Sequence, residues 1–168
     1  MYQIKFGTDG WRATLDVFTA DKVDRVGEAI VSYVRSSGLG EKSIIIAHDA
    51  RESSPDFVKS LCEKMIHLGQ DVICESRDCP TPVAAWSVVN RDLAGAIVIT
   101  ASHNPPEYNG IKFIPFDGAP ALPEVTNQLE KYLEVPDSKF EGEGEVEIVD
   151  LFGPYSEHVK RLISKDLN

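Results

Sequence analysis

The fold of this chain is decided by residues 94–100, which read Ala-Gly-Ala-Ile-Val-Ile-Thr. The run is apolar and does not alternate with polar residues, which is typical of a strand covered on both faces of a sheet. Residues 43–47, Ser-Ile-Ile-Ile-Ala, have the same character, and we expect them to lie centrally in that sheet. Residues 71–75, Asp-Val-Ile-Cys-Glu, form a further predicted strand.

Helical patterns separate these strands. Apolar residues at helical spacing predict helices over 19–38, 54–69 and 81–89, with Thr19 and Ser54 as N-caps of the first two. Strands that alternate with helices indicate an α/β domain with right-handed crossovers. We therefore expect a three-layer α/β fold, in which a mixed, mostly parallel sheet of about four to five strands lies between helices.

The second half of the chain continues this pattern. It contains a predicted strand at 111–115, a helix at 122–133, an edge strand at 145–149 and a last helix at 154–165. Gly153-Pro154 is a plausible boundary. We predict one α/β domain over residues 1–152, and the start of a truncated second domain or a linker helix over 153–168.

Charge limits the possible partners. The 168 residues include 17 basic and 27 acidic side chains, for a net charge of −10. Such a surface is a poor partner for nucleic acid or an anionic membrane. No run reaches the roughly 18 apolar residues of a spanning helix, and residues 1–7 show no secretory signal. We expect a cytoplasmic protein with no nucleic-acid or membrane partner.

The three cysteines do not suggest a zinc site. Cys62, Cys74 and Cys79 include no CxxC pair, and the four histidines do not cluster with them. Cys62 falls on the apolar face of a predicted helix and Cys74 in a predicted strand. We interpret both as reduced thiols of the core.

A ten-residue connection at 101–110 is the candidate site. It follows the carboxyl end of a buried strand, where open α/β sheets bind their ligands, and it is long for a link between adjacent strands. Ser102-His103 raises the possibility of a serine hydrolase, but no GxSxG elbow is present, and adjacent residues rarely align as nucleophile and base. Alternatively, Ser102 or Asn104 merely caps a turn.

Four segments resemble one family. Residues 100–105, Thr-Ala-Ser-His-Asn-Pro, are similar to the phosphoserine loop of the α-D-phosphohexomutase superfamily of phosphoglucomutases, phosphomannomutases and phosphoglucosamine mutases. Residues 7–12 (Gly-Thr-Asp-Gly-Trp-Arg), 48–54 (His-Asp-Ala-Arg-Glu-Ser-Ser) and 108–113 (Tyr-Asn-Gly-Ile-Lys-Phe) match further motifs of its N-terminal domain, in family order. The chain thus resembles domain I of that superfamily.

The resemblance implies a reaction and its residues. Ser102 would be carried as phosphoserine and would exchange phosphoryl groups with a hexose phosphate, from the 1-phosphate to the 6-phosphate, through a bisphosphate intermediate. Ser102, His103 and Lys112 would be catalytic, and Arg12 and Lys112 would bind phosphate. We expect Arg12, His103 and Lys112 to converge on Ser102. His48 stands where many relatives carry Arg, and it receives no role.

The resemblance also implies a metal and an activator. The full-length enzyme would use Mg²⁺ and a hexose bisphosphate, and Ser102 would contact the metal through its phosphate. No DxDxD segment follows Phe113, so the carboxylate ligands of the metal are absent from this chain.

Family members have four domains over roughly three times this length. We therefore expect a fragment whose partners are the hexose phosphate and the missing C-terminal domains of the same polypeptide. It would be inactive alone and prone to self-association. The alternative is a stand-alone phosphate-binding or interaction domain without turnover. The sequence does not choose between glucose, mannose and glucosamine phosphates.

Overall fold

The structure is a computed structural model that describes residues 4–8, 10–134 and 140–166. Helices and strands alternate along most of this part of the chain. In chain order they are β1 (Gly10–Thr14), α1 (Ala20–Ser36), β2 (Ile44–His48), α2 (Ser54–His67), β3 (Val72–Glu75), α3 (Thr81–Asn90), β4 (Gly95–Ile99), β5 (Tyr108–Pro115), α4 (Pro123–Glu134), β6 (Val146–Val149) and α5 (Phe152–Asp166).

The described strands form one mixed, mostly parallel sheet in the order β1-β5-β4-β2-β3-β6. The strands β4, β2, β3 and β6 run parallel, whereas β5 is antiparallel to both of its neighbours. The α/β class, the interior position of β2 and the edge position of β6 are confirmed. The expected count of about four to five strands is too low by one, because β1 was not recognised. Its residues alternate between buried and exposed, and it forms only by pairing with β5, about 100 residues away in sequence.

Two apolar cores lie on opposite faces of the sheet, which confirms the three-layer prediction. Ile44 and Ile46 of β2 belong to the core that includes residues of α1, α2 and α4. Ile45 and Ala47 belong to the other core, with Val83, Ala84 and Val88 of α3. All four β2 residues are at most 1% exposed. Burial on both faces explains why β2 shows no polar alternation.

Some predicted boundaries are shifted. β5 begins at Tyr108 instead of Ile111, because pairing with β1 extends it, and α5 begins at Phe152 instead of Pro154. Ser54 is the first residue of α2 and not its N-cap, because its hydroxyl donates to Asp49 Oδ1 at 2.9 Å. Thr19 does occupy the N-cap of α1, but its hydroxyl bonds Asp21 and caps no backbone N–H.

The last described helix packs back onto the sheet layers. The ring of Trp86 on α3 lies 5.8 Å from that of Tyr155 and 5.2 Å from that of His158 on α5. The predicted boundary between residues 152 and 153 stays a prediction. Over the described ranges, none of the helices combines the length and the apolar character that a bilayer crossing requires.

Candidate functional site

The candidate site is built by two loops that lie side by side. β2 and β4 are parallel neighbours with His48 opposite Ile99, so the loops 49–53 and 100–107 leave the same edge of the sheet. The N–H of Asp49 donates to the Ile99 carbonyl at 3.0 Å and joins the two at their origin. The eight-residue connection after β4 therefore lies where α/β sheets place ligands.

A cleft of about 810 Å³ opens between the two loops. Ser102 lines this cleft with an exposed side chain. The other lining residues are Leu15, Asp49, Ala50, Arg51, Glu52, Ser53, Asp56, Asn104 and Pro106. The predicted nucleophile is thus accessible to a ligand of substantial size.

The Arg51 side chain binds backbone carbonyls of the serine loop. Its Nη1 donates to the carbonyls of Pro105 at 2.8 Å and Tyr108 at 2.9 Å. Its Nη2 donates to the carbonyls of Asn104 at 2.6 Å and Ser102 at 3.2 Å, and its Nε donates to Asp49 Oδ2 at 3.1 Å. A guanidinium has five N–H donors, so Arg51 has one acceptor for each of them. One side chain therefore fixes the path of the whole loop.

A second network supports the first. Asp49 Oδ1 accepts the Arg51 N–H at 3.1 Å and the Ser54 hydroxyl at 2.9 Å. Asn109 is fully buried; its Nδ2 donates to the hydroxyls of Ser53 at 2.9 Å and Ser54 at 3.1 Å, and its Oδ1 accepts the Gly110 N–H. Because buried polar groups are costly without partners, these bonds hold the start of α2 against the start of β5.

Ser102 itself has an unusual backbone. Its φ is +58°, in the left-handed region that residues other than glycine rarely adopt. The Ser102 N–H donates to Thr100 Oγ1 at 3.0 Å, and its Oγ lies 3.2 Å from His103 Nδ1. The two adjacent side chains therefore lie within hydrogen-bond distance of each other in this structure. With the ring proton on Nε2, this geometry lets His103 Nδ1 accept a hydrogen bond from the Ser102 hydroxyl.

Arg12 and Lys112 lie on the neighbouring strands β1 and β5. Gly10 is opposite Lys112 and Arg12 is opposite Gly110, so both cations occupy one face of the sheet. A Cβ added at Gly110 would lie 2.8 Å from Arg12 Cγ and 2.5 Å from the Thr100 carbonyl oxygen. The Arg12 side chain therefore passes over Gly110, beside the residue that begins the serine loop.

The convergence on Ser102 stays a prediction for these two cations. Within the described part of the chain, neither Arg12 nor Lys112 donates a hydrogen bond to Ser102. Arg12 instead lines a separate hollow of about 370 Å³, together with Lys5, Gly7, Thr8 and Gly10. Asp9 of the first motif lies outside the described residues. Among the predicted site residues, the described hydrogen bonds join Ser102 to His103.

The described residues do not fit a metal ion by themselves. No group of three or more His, Cys, Asp or Glu side chains is arranged to hold one within residues 4–8, 10–134 and 140–166. Mg²⁺ prefers several oxygen ligands in octahedral geometry, which one serine cannot supply.

Several residues of the site were not given roles from the sequence. Arg51, Asp49 and Asn109 lie within the quoted motifs, but the local sequence does not indicate which partners they bind. One signal does point to a role for Arg51. It follows the buried strand at 43–47, and the long loop at 101–110 follows the second buried strand. Lys5 precedes the first motif, and no local pattern distinguishes it from a solvated lysine.

Comparisons with known proteins point to one family. Residues 3–139 match the family model described as phosphoglucomutase/phosphomannomutase, alpha/beta/alpha domain I. A phosphoglucosamine mutase of Caldicellulosiruptor bescii is 32% identical over 166 residues, with 95% of this chain and 36% of the relative covered. A phosphoglucomutase/phosphomannomutase of Thermococcus kodakarensis is 30% identical over 162 residues, which cover 94% of this chain and 35% of the relative.

A solved structure extends the comparison to the fold. The X-ray structure of a phosphoglucomutase/phosphomannomutase family protein from Burkholderia thailandensis has a TM-score of 0.78 and 30% identity, and covers 90% of this chain and 34% of that one. The chain spans about a third of the length of the relatives that it matches. It belongs to the phosphoglucomutase/phosphomannomutase family, of which it carries the α/β/α domain I.

Proposed function

We propose that this chain is the phosphoserine-bearing part of a phosphohexomutase, which moves a phosphoryl group between the 1- and 6-oxygens of a hexose phosphate. The placement of Ser102 is the observation that carries the proposal: an exposed side chain on a loop whose backbone Arg51 holds, beyond the carboxyl end of an interior strand. Family membership supports the class of reaction.

The proposed chemistry begins at Ser102 Oγ. This oxygen attacks one phosphorus of a hexose bisphosphate, and the bond from that phosphorus to the sugar oxygen breaks. The serine proton passes to His103 Nδ1, 3.2 Å away, and the sugar oxygen takes up a proton and leaves as a hydroxyl. The phosphoserine then donates this phosphoryl group to the free 6-hydroxyl of a hexose 1-phosphate, which gives a bisphosphate and frees Ser102. The bisphosphate reorients and returns its 1-phosphoryl group to Ser102, which releases hexose 6-phosphate and restores the phosphoserine.

The cations beside the loop would bind the phosphates. Phosphoryl transfer spreads negative charge over three equatorial oxygens, and fixed cations neutralise that charge. Arg12 and Lys5 line one hollow, and Lys112 lies opposite Gly10 at its edge. We assign the non-reacting phosphate of the sugar to Arg12 and Lys112, and we add Lys5 to this group.

The remaining requirements are assigned to other domains of the same polypeptide. Because the described residues supply no carboxylate cluster, we propose that the Mg²⁺ ligands and the groups that select the sugar come from those domains. The chain alone therefore binds a hexose bisphosphate without sustained interconversion of hexose monophosphates. Leu162 and Ile163 on α5 are more than half exposed, and we propose that they favour self-association of the isolated chain.

Incubation with a hexose bisphosphate tests the proposal. The 1,6-bisphosphates of glucosamine, glucose and mannose are added separately to the 168-residue chain and to Ser102→Ala, and peptides are mapped by mass spectrometry. Glucosamine comes first, because relatives are named phosphoglucosamine mutases. We expect slow phosphorylation, at most once per chain, at Ser102 and none in Ser102→Ala. A coupled assay is expected to show no repeated turnover.

Two results would contradict the proposal. Phosphate on another residue, or none at any concentration of the three sugars, excludes Ser102 as phosphoryl acceptor. Turnover that persists in Ser102→Ala excludes the mechanism. Binding of inorganic phosphate without any phosphorylation would instead support the alternative, a phosphate-binding domain that performs no transfer.

A further inference from the structure

Two of the three cysteines are in direct contact. Cys62 lies on α2 and Cys74 on β3, and their Sγ atoms are 2.9 Å apart. Both are free thiols. Because a disulfide bond is about 2.05 Å long, an approach of roughly 0.9 Å would bring the sulfurs to bonding distance.

The contact is held by packed elements. Cys74 is 8% exposed, and its strand pairs on both sides, with Ile46 of β2 and Ile148 of β6 opposite it. Cys62 is partly exposed and packs against the same apolar core as Cys74. Neither cysteine lies in a loop, so the backbone positions of both are fixed by the fold.

The two sulfurs also affect each other's titration. The hydrogen bond between them raises the pKa of Cys62, as does burial, whereas it lowers the pKa of Cys74 against the opposing effect of burial. Cys79 differs: burial, together with the charges of Glu75 and Asp78, raises its pKa to about 12. Because the thiolate is the nucleophile of cysteine chemistry, these directions favour Cys74 as the attacking thiol of the pair and disfavour Cys79.

We propose that Cys62 and Cys74 form a reversible disulfide when the chain is exposed to a hydroperoxide. The Cys74 thiolate attacks one oxygen of hydrogen peroxide, the O–O bond breaks, and Cys74 becomes a sulfenic acid while the other oxygen leaves as water after protonation. Cys62 sulfur then attacks Cys74 sulfur, the S–O bond breaks, and the hydroxyl leaves with the Cys62 proton as a second water. The two thiols lose two electrons and two protons, and the peroxide is reduced to two waters.

The bond would join the middle of α2 to β3. The segment 62–74 that it closes is short, and a disulfide stabilises a fold by restricting the unfolded chain. α2 also begins at Ser54, which bonds Asn109 and Asp49 behind the serine loop. The oxidised chain should therefore unfold at a higher temperature than the reduced chain. The proposal is independent of the phosphoryl transfer proposed above.

Peptide mapping after peroxide treatment tests the proposal. The 168-residue chain is treated with hydrogen peroxide, remaining thiols are alkylated, and intact mass and linked peptides are measured. We expect a loss of two hydrogens per chain, a peptide that links Cys62 to Cys74, and a fall from three alkylated cysteines to one. Dithiothreitol should restore all three. The oxidised chain should show a Tm several degrees higher than the reduced chain.

Single substitutions supply the controls. Cys79→Ser should keep the linked peptide, whereas Cys62→Ser and Cys74→Ser should lose it. Oxygen added to single cysteines without the linked peptide, a link that includes Cys79, or a bond between two chains would overturn the proposal. Should Cys62→Ser or Cys74→Ser fail to fold, the linked peptide of the unsubstituted chain decides the question alone.

Discussion

The loop after β2 and the loop after β4 leave the same edge of the sheet, yet they use their residues in opposite ways. The loop at 49–53 contributes side chains: Arg51 and Ser53 bond distant parts of the chain, and Asp49 holds Arg51 in place. The loop at 100–107 contributes mainly backbone carbonyls, and its Ser102 and His103 side chains are exposed.

The comparison shows that one loop supports the other, whose side chains stay available to a ligand. A loop that is held through its carbonyls can keep a fixed backbone while its side chains stay available to a ligand. Arg51 makes this possible, because a guanidinium places five donors in one plane. The loop at 49–53 therefore positions Ser102 by binding its backbone carbonyl, and it leaves the Ser102 side chain uncovered.

Replacing Arg51 should produce the largest effect on this arrangement. Arg51→Ala leaves four carbonyls and the Asp49 carboxylate without their donor, and hydrogen bonds to charged groups are worth more than neutral ones. We expect a loss of about 3 kcal/mol in the free energy of unfolding, measured by urea denaturation. Arg51→Lys, with at most three donors, should recover less than half of that loss.

Arg25→Ala is the matched control. Arg25 on α1 donates to one described carbonyl, that of Leu133 on α4 at 2.9 Å, and bonds neither loop in the described part of the chain. Its removal should cost about 1 kcal/mol or less. Equal losses at Arg25 and Arg51 would show that the five bonds of Arg51 contribute no more than a single one, and the contrast between the two loops would fail.

Substitution at Ser102 should have a smaller effect than Arg51→Ala, and glycine at this position should be stabilising relative to alanine. A left-handed φ costs a non-glycine residue about 1–2 kcal/mol, and substitution by glycine removes this cost. Part of the resulting stabilisation is lost, because glycine has greater freedom in the unfolded chain. We expect the free energy of unfolding of Ser102→Gly to be about 0.5–1 kcal/mol higher than that of Ser102→Ala. The alanine variant also lacks the hydroxyl but keeps a Cβ. Urea denaturation of the two variants side by side gives the difference. A glycine variant that is less stable than the alanine variant would mean that the loop stores no such strain.

Asp24, on α1 and away from both loops, should give the smallest effect, one that depends on pH. Burial raises the pKa of Asp24 above 3.8, although its hydrogen bond from Ser60 lowers it. A carboxyl whose pKa is higher in the folded state binds its proton more tightly there, so its ionisation costs stability as pH rises through that pKa. Asp24→Asn should therefore raise the Tm slightly at pH 7 and leave it unchanged at pH 3.

Ser60→Ala completes this test. It removes the bond that lowers the pKa of Asp24, so the Tm of Ser60→Ala relative to the unsubstituted chain should be lower at pH 7 than at pH 3. A Tm advantage of Asp24→Asn that is greater at pH 3 than at pH 7 would contradict the direction of the pKa shift. Neither variant should alter phosphorylation of Ser102.

Elements with a strong local signal were predictable. The strands at 43–47 and 94–100 lack polar alternation because both of their faces are covered, and the structure buries them accordingly. The five predicted helices are present among the described residues, with ends shifted by a few positions. The local signal of β1 is weak, because only two of its five residues are buried and its pairing partner lies far away in sequence.

The sequence by itself determined the α/β class, the family resemblance and the serine at the centre of the proposed chemistry, because each depends on residues that are close together along the chain. Only the tertiary structure decided which side chains support that serine. Arg51 is 51 to 57 positions from the carbonyls that it binds, and Cys62 contacts Cys74 only because α2 packs onto the sheet beside β3. Such contacts form only when elements distant in sequence pack against one another, and the local pattern of residues does not indicate which elements will pack together.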